Sequence, residues 1–241
     1  MTDVKQAAIR RAQELKLRPG DLVMSDFDGT ITKRDTGWVV FDTLGLDEAW
    51  DFEYRWRDRE ISSIECLEGQ WGLVDVPRHE LLALIDSIEV DERFLEFVRG
   101  ARDAGAEVVV ASDGLSFYLD RMLQRIGLEI CDGDPDPLRP RECITRYVNR
   151  GELIPQGVKI SFPHSNEECM RCGNCKTDHL KRLRLRYDRV IYIGDGYSDR
   201  CPAREADVVF AKDHLAELLA ETGVTYIPFE DFGDVIGATL G

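Results

Sequence analysis

The sequence has no long apolar segment and no excess of positive charge, and both absences restrict what the protein can be. No run of about 18 apolar residues occurs in the 241-residue chain, which argues against a transmembrane helix. The N-terminal stretch has no apolar core of the kind that a signal peptide needs, so we expect a cytoplasmic protein. Lysine and arginine number 31 against 46 aspartates and glutamates, for a net charge of −15. This balance argues against nucleic acid or an anionic membrane as the main partner.

Repeats and low-complexity segments are absent as well, so nothing in the composition points to a repeat array or a disordered chain. The hydrophobic content of 43% is enough to bury a sizeable core at this length. The chain is therefore long enough for one α/β domain that carries an inserted subdomain.

Two carboxylates follow the first apolar run of the chain. Leu22, Val23 and Met24 predict a buried strand, and Asp26 and Asp28 come just after it. Because side chains alternate along an extended backbone, both carboxylates leave the strand end on one side. Carboxylates this close repel each other unless they share a proton or a cation. An Asp-x-Asp pair also occurs in surface turns, but here it suggests a divalent metal and paired acid and nucleophile roles.

Three later segments agree with this interpretation. Residues 107–111 predict a strand that delivers Ser112, and residues 189–194 predict a strand followed by Asp195 and Asp199. Between them, Lys176 begins a basic stretch that is typical of a helix. Ligands of open α/β sheets bind at the carboxyl ends of the strands, so we expect these groups to meet in one crevice. The set of residue types suits phosphoryl transfer.

In this order, the four segments resemble the four motifs of the haloacid dehalogenase superfamily of phosphohydrolases. The resemblance covers nearly the whole chain and implies a Rossmann-like doubly wound parallel sheet and a Mg²⁺-dependent phosphatase. It implies that Asp26 is the nucleophile that becomes an aspartyl-phosphate and that Asp28 is the general acid and base. The phosphate-binding residues would be Thr30, Ser112, Asp113, Gly114 and Lys176. The metal ligands would be Asp26, Asp28 and Asp195, with Asp199 as a supporting acid.

The segment between the first two motifs is rich in helix formers and aromatic residues. We expect residues 33–97 to form a helical cap on an α/β core made of residues 1–32 and 98–241. Specificity would come from the cap, where Arg57 and Glu60 are polar exceptions. The spacing also predicts an N-terminal helix over residues 4–17, and a β-hairpin in which residues 143–148 and 157–162 flank a turn at 149–151.

Three cysteines stand directly before Lys176. Cys169, Cys172 and Cys175 are spaced so that three thiolates could bind one structural Zn²⁺, although a closed site needs a fourth ligand. A disulfide or reduced thiols in a tight loop are the other two interpretations. Either a zinc ion or a disulfide would fix the loop that presents Lys176. The candidates for a fourth ligand are Cys131, Cys143 and His164.

Within the superfamily, the chain is similar to the phosphoserine phosphatase-like group with a helical cap. Inside that group it looks most like the 2-hydroxy-3-keto-5-methylthiopentenyl-1-phosphate phosphatases of methionine salvage. Two positions depart from the group. Asp113 stands where many of these enzymes have glycine, and the pair Ser112-Asp113 is similar to that of the phosphoethanolamine and phosphocholine phosphatases. Asp35 stands where phosphoserine phosphatases carry a glutamate that contacts the substrate ammonium. We expect a small phosphorylated metabolite as the partner. A phosphomutase or a non-catalytic zinc-binding module are the alternatives, and the sequence leaves the oligomeric state open.

Overall fold

The computed structural model describes residues 15–138, 141–166 and 171–241. Within them, eight strands form one sheet in the order β3-β4-β2-β1-β6-β7-β8, and β5 pairs with β4. The strands are β1 (Asp21–Ser25), β2 (Glu107–Leu115), β3 (Ile130–Cys131), β4 (Ile144–Leu153), β5 (Val158–Ser161), β6 (Arg189–Gly194), β7 (Val208–Ala211) and β8 (Ile227–Pro228).

Helices precede or follow most of the strands. Four of them lie between β1 and β2: α1 (Thr36–Leu44), α2 (Ala49–Arg57), α3 (Ser63–Gly72) and α4 (Arg78–Ser87). The others are α5 (Arg93–Asp103), α6 (Ser116–Arg125), α7 (Lys176–Arg184), the short α8 (Arg200–Ala203), α9 (Asp213–Thr222) and α10 (Phe232–Thr239). Over the described part of the chain, none of the helices is long and apolar enough to cross a membrane.

The centre of the sheet brings the predicted motif strands side by side. Strand β1 pairs in parallel with β2 on one side and with β6 on the other, so that Ser25 lies opposite both Val110 and Ile193. Alternate residues of β1 face opposite layers, since Val23 packs in one buried cluster and Met24 in another. The doubly wound parallel sheet is therefore confirmed, and the three strands end at the same edge.

Two crossing segments mark where the inserted helices leave the core and return to it. Thr32 and Val90 form an antiparallel bridge, and the amide of Lys33 donates to the carbonyl of Glu89 at 3.1 Å. The predicted boundary at residue 97 falls inside α5, whose Phe94 packs on Phe232 of α10 with ring centroids 4.9 Å apart. Helix α5 thus packs on the core. We propose that the cap consists of α1 to α4 and ends near residue 89.

The β-hairpin forms, but its turn lies elsewhere. Strand β4 continues through the predicted turn at residues 149–151 as far as Leu153, and Arg150 pairs with Ser161 of antiparallel β5. The turn is made by residues 154–157, where Gly157 adopts a φ of 89°. The residue types at 149–151 are typical of a turn. Pairing with β2 and β5, which the local sequence does not show, keeps this segment extended.

Two cysteines that were candidates for a zinc ligand form a disulfide instead. Cys131 at the end of β3 forms a disulfide with Cys143, just before β4, so neither can be the fourth ligand of a zinc site. Of the two cysteines far from this region in sequence, Cys201 is exposed and Cys66 is buried. Cys169 lies outside the described residues, as does most of the predicted helix over residues 4–17.

The Cys131–Cys143 disulfide gives a stability prediction. Replacing both cysteines with serine is expected to lower the free energy of unfolding by roughly 3 kcal/mol, because the bond closes a short loop in the unfolded chain. Urea unfolding of the double variant and the parent, each with and without reductant, measures the effect. Cys201→Ser is the matched control and should leave stability unchanged. Equal stability of parent and double variant under oxidising conditions would contradict the bond.

Candidate active site

A buried ion-pair cluster lies at the carboxyl ends of β1 and β6. Asp26, 5% exposed, follows β1, and the ammonium Nζ of Lys176, at the first position of α7, lies 2.8 Å from its Oδ1. The same Nζ lies 2.6 Å from Asp199 Oδ1 and 3.0 Å from Ser198 Oγ. Burial alone would lower the pKa of Lys176, but Asp199 and Asp26 raise it above its usual value. Lys176 is therefore a fixed positive charge at physiological pH.

Asp199 holds the loop after β6 in place. Its Oδ2 accepts from the backbone amides of Asp195 and Gly196, both at 3.0 Å, while its Oδ1 accepts from Lys176 and from the Tyr192 hydroxyl at 2.6 Å. With both oxygens occupied in this way, Asp199 orients its neighbours. The supporting role of Asp199 in catalysis stays a prediction.

Three carboxylates lie close enough to share a cation. Asp26, Asp195 and Asp199 each place a ligand atom within 4.8 Å of the others. Burial, and then the charge of Asp199, raise the pKa of Asp195 to about 7. Burial also raises the pKa of Asp26 well above its usual value, with Asp199 adding to the shift and Lys176 opposing it. Protons gather on carboxylates that lack enough positive charge, so the donor set fits a hard divalent cation such as Mg²⁺.

The turn after Asp28 is shaped around Asp195. Gly29 has a φ of 79°, and a Cβ at this position would lie 2.4 Å from Asp195 Oδ2. The hydroxyl of Thr30, predicted to bind phosphate, instead donates to Asp195 Oδ1 at 2.5 Å. Thr30 thus orients the candidate metal ligand. The sequence could not show this, because 165 residues separate the two side chains.

The Asp28 side chain faces the second motif. Its Oδ2 accepts from the Tyr118 hydroxyl at 2.8 Å and from Ser112 Oγ at 3.3 Å, and its Oδ1 accepts from the Thr36 amide. Burial raises the pKa of Asp28, and these hydrogen bonds oppose the shift. A carboxyl group with a raised pKa can hold a proton and give it up.

The second motif packs tightly against Asp28. A Cβ added at Gly114 would lie 2.4 Å from both Asp28 Oδ2 and the Tyr118 hydroxyl, so glycine is required there. The Gly114 amide donates to Ser112 Oγ at 2.9 Å. Asp113 also lines the cavity, and burial raises its pKa to about 6 against the opposing charge of Lys176. Tyr118, which the sequence analysis did not single out, completes this wall from α6.

A cavity of about 510 Å³ extends from these groups to the inserted helices. Asp26, Asp28, Ser112 and Asp195 line its core side. The cap side combines aromatic and polar side chains: Asp35, Trp38, Phe41, Glu53, Trp56, Gln70 and Trp71.

Two of the predicted specificity residues belong to this region and one does not. Asp35 lines the cavity and caps α1, since its Oδ1 accepts from the Trp38 amide at 2.8 Å. The Arg57 guanidinium lies behind the cavity wall, 5.1 Å from the centroid of the Trp38 ring and 5.0 Å from that of Tyr197. Glu60 is exposed, pairs with Arg55, and is not among the residues that line the cavity. The structure therefore does not bring Glu60 to the site.

Arg57 connects the cap to the core loop that carries Asp195 and Asp199. Its Nε donates to Glu53 Oε1 at 2.8 Å, and the other Glu53 oxygen accepts from Gln70 Nε2 at 3.3 Å. Glu53 is buried and lines the cavity, although the sequence analysis did not identify it. Its position four residues before Arg57 on one helix was the signal that could have found it.

The described residues give no support to a zinc site. Among them, the one group of three or more metal-ligating side chains is the aspartate cluster, and Cys172 and Cys175 form no such group with His164. Because Cys169 is not described, the state of the three cysteines stays a prediction.

Comparisons with known proteins agree with this geometry. The model of the Putative Phosphatase family matches residues 21–219. A 2-hydroxy-3-keto-5-methylthiopentenyl-1-phosphate phosphatase of Bacillus cereus is 30% identical over 217 residues, which is 88% of this chain and 93% of the relative. The enzyme of the same name from Bacillus mycoides is 29% identical over 218 residues, 89% of this chain and 93% of the relative.

Solved structures show the same fold at low sequence identity. A phosphoserine phosphatase carrying an analogue of its phospho-aspartyl intermediate matches with a TM-score of 0.67 at 16% identity, covering 93% of this chain and 100% of the other. A haloacid dehalogenase family hydrolase from Salmonella enterica serovar Typhi matches with a TM-score of 0.70 at 16% identity, covering 93% and 72%. The chain belongs to the Putative Phosphatase family of phosphoric monoester hydrolases, which has the haloacid dehalogenase fold.

Proposed function

We propose that the protein is a Mg²⁺-dependent phosphatase that hydrolyses a small phosphomonoester through an aspartyl-phosphate on Asp26. The observation that carries this proposal is the pairing of two differently placed acids at one cavity. Asp26 lies against Lys176 and the metal cluster, whereas Asp28 points to Ser112 and Tyr118. One acid is thus placed to attack phosphorus and the other to move protons.

Attack by an Asp26 carboxylate oxygen forms a bond to phosphorus as the bond to the ester oxygen breaks. The leaving alkoxide takes the proton that Asp28 holds. Asp28, now a carboxylate, then takes a proton from a water molecule, which attacks phosphorus and returns Asp26 as a free carboxylate. Lys176, Ser112 and the Gly114 amide would hold the phosphoryl oxygens throughout.

Asp26, Asp195 and the carbonyl of Asp28 are the groups that we propose to hold Mg²⁺. When bound, the ion supplies positive charge that reduces the repulsion between the carboxylate and the phosphoryl group. Thr30 and Asp199 keep Asp195 and its loop in position for this ion.

We propose 2-hydroxy-3-keto-5-methylthiopentenyl-1-phosphate as the substrate. The relatives that bear this name cover 88% or more of the chain at about 30% identity. The cap side of the cavity also offers apolar surface from Trp38, Phe41 and Leu67, which suits a methylthio-bearing chain. The core side contacts only what every phosphomonoester shares, so the cap would select the leaving group.

An amine-bearing phosphomonoester is the second candidate, and it covers phosphoethanolamine, phosphocholine and phosphoserine. Asp35, Glu53 and Asp113 are carboxylates that line the same cavity as Trp56 and Tyr197. Carboxylates and aromatic faces both attract ammonium groups. Because Asp35 already caps α1 and Glu53 already pairs with Arg57, we place this candidate second.

A substrate panel tests the proposal. We expect kcat/KM for the methylthiopentenyl phosphate to exceed that for each amine-bearing ester and for an aryl phosphate by about tenfold or more. A higher value for an amine-bearing ester would favour the second candidate. Reaction in ¹⁸O-labelled water should place the label in released phosphate, whereas a phosphomutase would return unlabelled phosphate to an acceptor. Absence of any phosphate release in Mg²⁺ would contradict the proposed function.

Arg57 gives a prediction about the cap. Arg57→Ala removes the guanidinium that lies against the rings of both Trp38 and Tyr197, and it takes the ion-pair partner from Glu53, so the shape of the cavity should change. We expect kcat/KM for the best substrate to fall about tenfold or more, and that for a small aryl phosphate to change little. Arg55→Ala is the matched control on the same helix, because Arg55 pairs with exposed Glu60, which does not line the cavity. Equal losses on both substrates would place Arg57 in folding instead.

A further inference from the structure

The second motif contains a break in strand pairing that leaves two backbone carbonyls without partners in the neighbouring strand. On β2, Ser112 pairs with Val148 of β4, yet the next paired residue is Leu115, which lies opposite Asn149. Asp113 and Gly114 are therefore extra residues on β2 relative to β4. The carbonyls of Ser112 and Asp113 are turned out of the regular ladder in the buried interior, where an unpaired carbonyl is costly.

Two asparagine side chains provide the missing donors. Asn174 Nδ2 donates to the carbonyls of both Ser112 and Tyr147, each at 2.7 Å. Asn149 Nδ2 donates to the carbonyl of Asp113 at 2.7 Å. The backbone N–H of Asn174 also donates to Asp113 Oδ1 at 3.1 Å, and Asn174 is only 1% exposed. Since Asn174 is two residues before Lys176, it joins the strand of Ser112 to the start of the Lys176 helix.

A histidine decides which way the Asn174 amide points. His179 Nδ1 lies 3.0 Å from Arg182 Nη2, and Nε2 lies 2.8 Å from Asn174 Oδ1. A guanidinium can only donate, so Nδ1 accepts and the proton is on Nε2, which donates to Asn174 Oδ1. The Asn174 NH₂ group must then face the two carbonyls.

The surroundings of His179 hold its ring in this state. The ring stacks on Tyr147 with centroids 4.1 Å apart, and the Tyr147 hydroxyl donates to Asp134, which also pairs with Arg182. Burial, and then the neighbouring His164 and Arg182, lower the pKa of His179 to about 3, which keeps the ring neutral.

We propose that Asn174, held in one amide orientation by His179, is a positioning residue that sets the distance between Ser112 and Lys176 for the phosphate. Neither side chain touches the reacting atoms. Asn174 acts through the Ser112 carbonyl, and it aligns the hydroxyl and the ammonium that the proposed function assigns to phosphate binding. The inference rests on that function. It assigns to Asn174 the fixing of the loop before Lys176, which the three cysteines were expected to provide.

Asn174→Asp is the direct test. The carboxylate keeps the shape but loses both donors and faces two carbonyls. The inhibition constant of inorganic phosphate, measured with Mg²⁺ present, should rise about tenfold or more, and KM should rise with it. Gln124→Glu, the same amide-to-carboxylate change at an exposed position of α6, is the control and should leave both constants unchanged. An unchanged phosphate inhibition constant in folded, active Asn174→Asp would overturn the proposal.

Two His179 variants keep the test decisive if Asn174→Asp does not fold. The side-chain amide of His179→Gln can still donate to Asn174, so phosphate inhibition should stay within about threefold of the parent. His179→Leu fills the space without a donor and should weaken phosphate inhibition about tenfold. A merely structural role for His179 would lower the melting temperature of both variants without separating their phosphate inhibition constants, and that result would also overturn the proposal. Lack of phosphatase activity in the parent protein, by contrast, would count against the proposed function itself.

Discussion

Replacing Asp26 with asparagine is expected to reduce turnover at least about a hundredfold while leaving the protein folded. Asparagine keeps the shape of the side chain, and its oxygen can still accept from Lys176, which lies 2.8 Å away. It cannot form an acyl-phosphate, because the amide is not a nucleophile toward phosphorus. The measurement is kcat on the best substrate at saturating Mg²⁺.

Stability should move in the opposite direction from activity. The Asp26 carboxylate is crowded by Asp199 and Asp195, and burial raises its pKa well above the usual value. A neutral amide removes this repulsion, so the metal-free Asp26→Asn variant should melt at the same temperature as the parent or higher. Asp58→Asn, at the exposed end of α2, is the control for loss of one charge and should keep full activity.

Trapping separates the roles of the two acids. With a substrate labelled in its phosphoryl group, acid-quenched Asp28→Asn should retain label on the protein, because Asp26 can still attack and water activation is impaired. Asp26→Asn should retain none. Label on Asp26→Asn, or more than about a hundredth of parental activity, would reject Asp26 as the nucleophile.

The convergence of the motifs was predictable because it follows from topology. A strand run that ends in Asp26, another that ends in Ser112 and a third that ends in Asp195 must meet if the strands are parallel and adjacent. The register of β1 with β2 and β6 confirms that they are. Only the first and last residues of such runs needed to be read correctly, and local pattern suffices for that.

What the sequence did not show depends on contacts between distant residues. Tyr118 meets Asp28 across 90 residues, and Thr30 meets Asp195 across 165. No periodicity or spacing encodes such pairs. The contacts of Asn174 with the Ser112 and Tyr147 carbonyls were missed for another reason. The neighbouring cysteines suggested a zinc ion or a disulfide for fixing the loop, whereas a single asparagine in a sequence does not reveal its carbonyl partners.

Element boundaries failed where a neighbour overrides local preference. The predicted turn at residues 149–151 is extended because β4 is held by β2 on one side and by β5 on the other. Asn149 in particular is a turn former by type, but here its amide is needed by the Asp113 carbonyl. We propose an earlier end for the cap because Phe94 packs on Phe232 of α10, a contact that the helical pattern alone could not indicate.

Removing the metal should abolish activity as completely as removing Asp26. The carboxylates of Asp26, Asp195 and Asp199 lie close together, and the Lys176 ammonium pairs with two of them, so the site lacks positive charge without a cation. Chelation with EDTA is therefore expected to lower kcat at least about a hundredfold, and Mg²⁺ should restore it. Ca²⁺ should restore little, because its larger and looser coordination would misplace Asp26. Full activity in the presence of chelator would contradict the mechanism.

The same cluster predicts how Mg²⁺ and protons compete. Burial and Asp199 raise the pKa of Asp195 to about 7 in the metal-free fold, from a usual value of 3.8. The folded state therefore binds more protons than the unfolded state over this interval, and the contribution of Asp195 to stability is lost as the pH rises through about 7. Mg²⁺ replaces the missing proton, so the rise in melting temperature that it causes should be larger near pH 8 than near pH 5.

Asp195→Asn provides the control for that measurement. The variant keeps a side-chain oxygen for Thr30 but has no carboxyl group to titrate at this position, so the pH dependence of the Mg²⁺ effect should flatten and the Mg²⁺ concentration needed for half-maximal activity should rise about tenfold or more. Asp207→Asn, where an exposed acid pairs with Arg184 beyond the other end of β6, should show the parental pH dependence. If Mg²⁺ stabilises the parent equally at both pH values, the cation binds without displacing a proton. The assignment of Asp195 as a metal ligand would then be wrong.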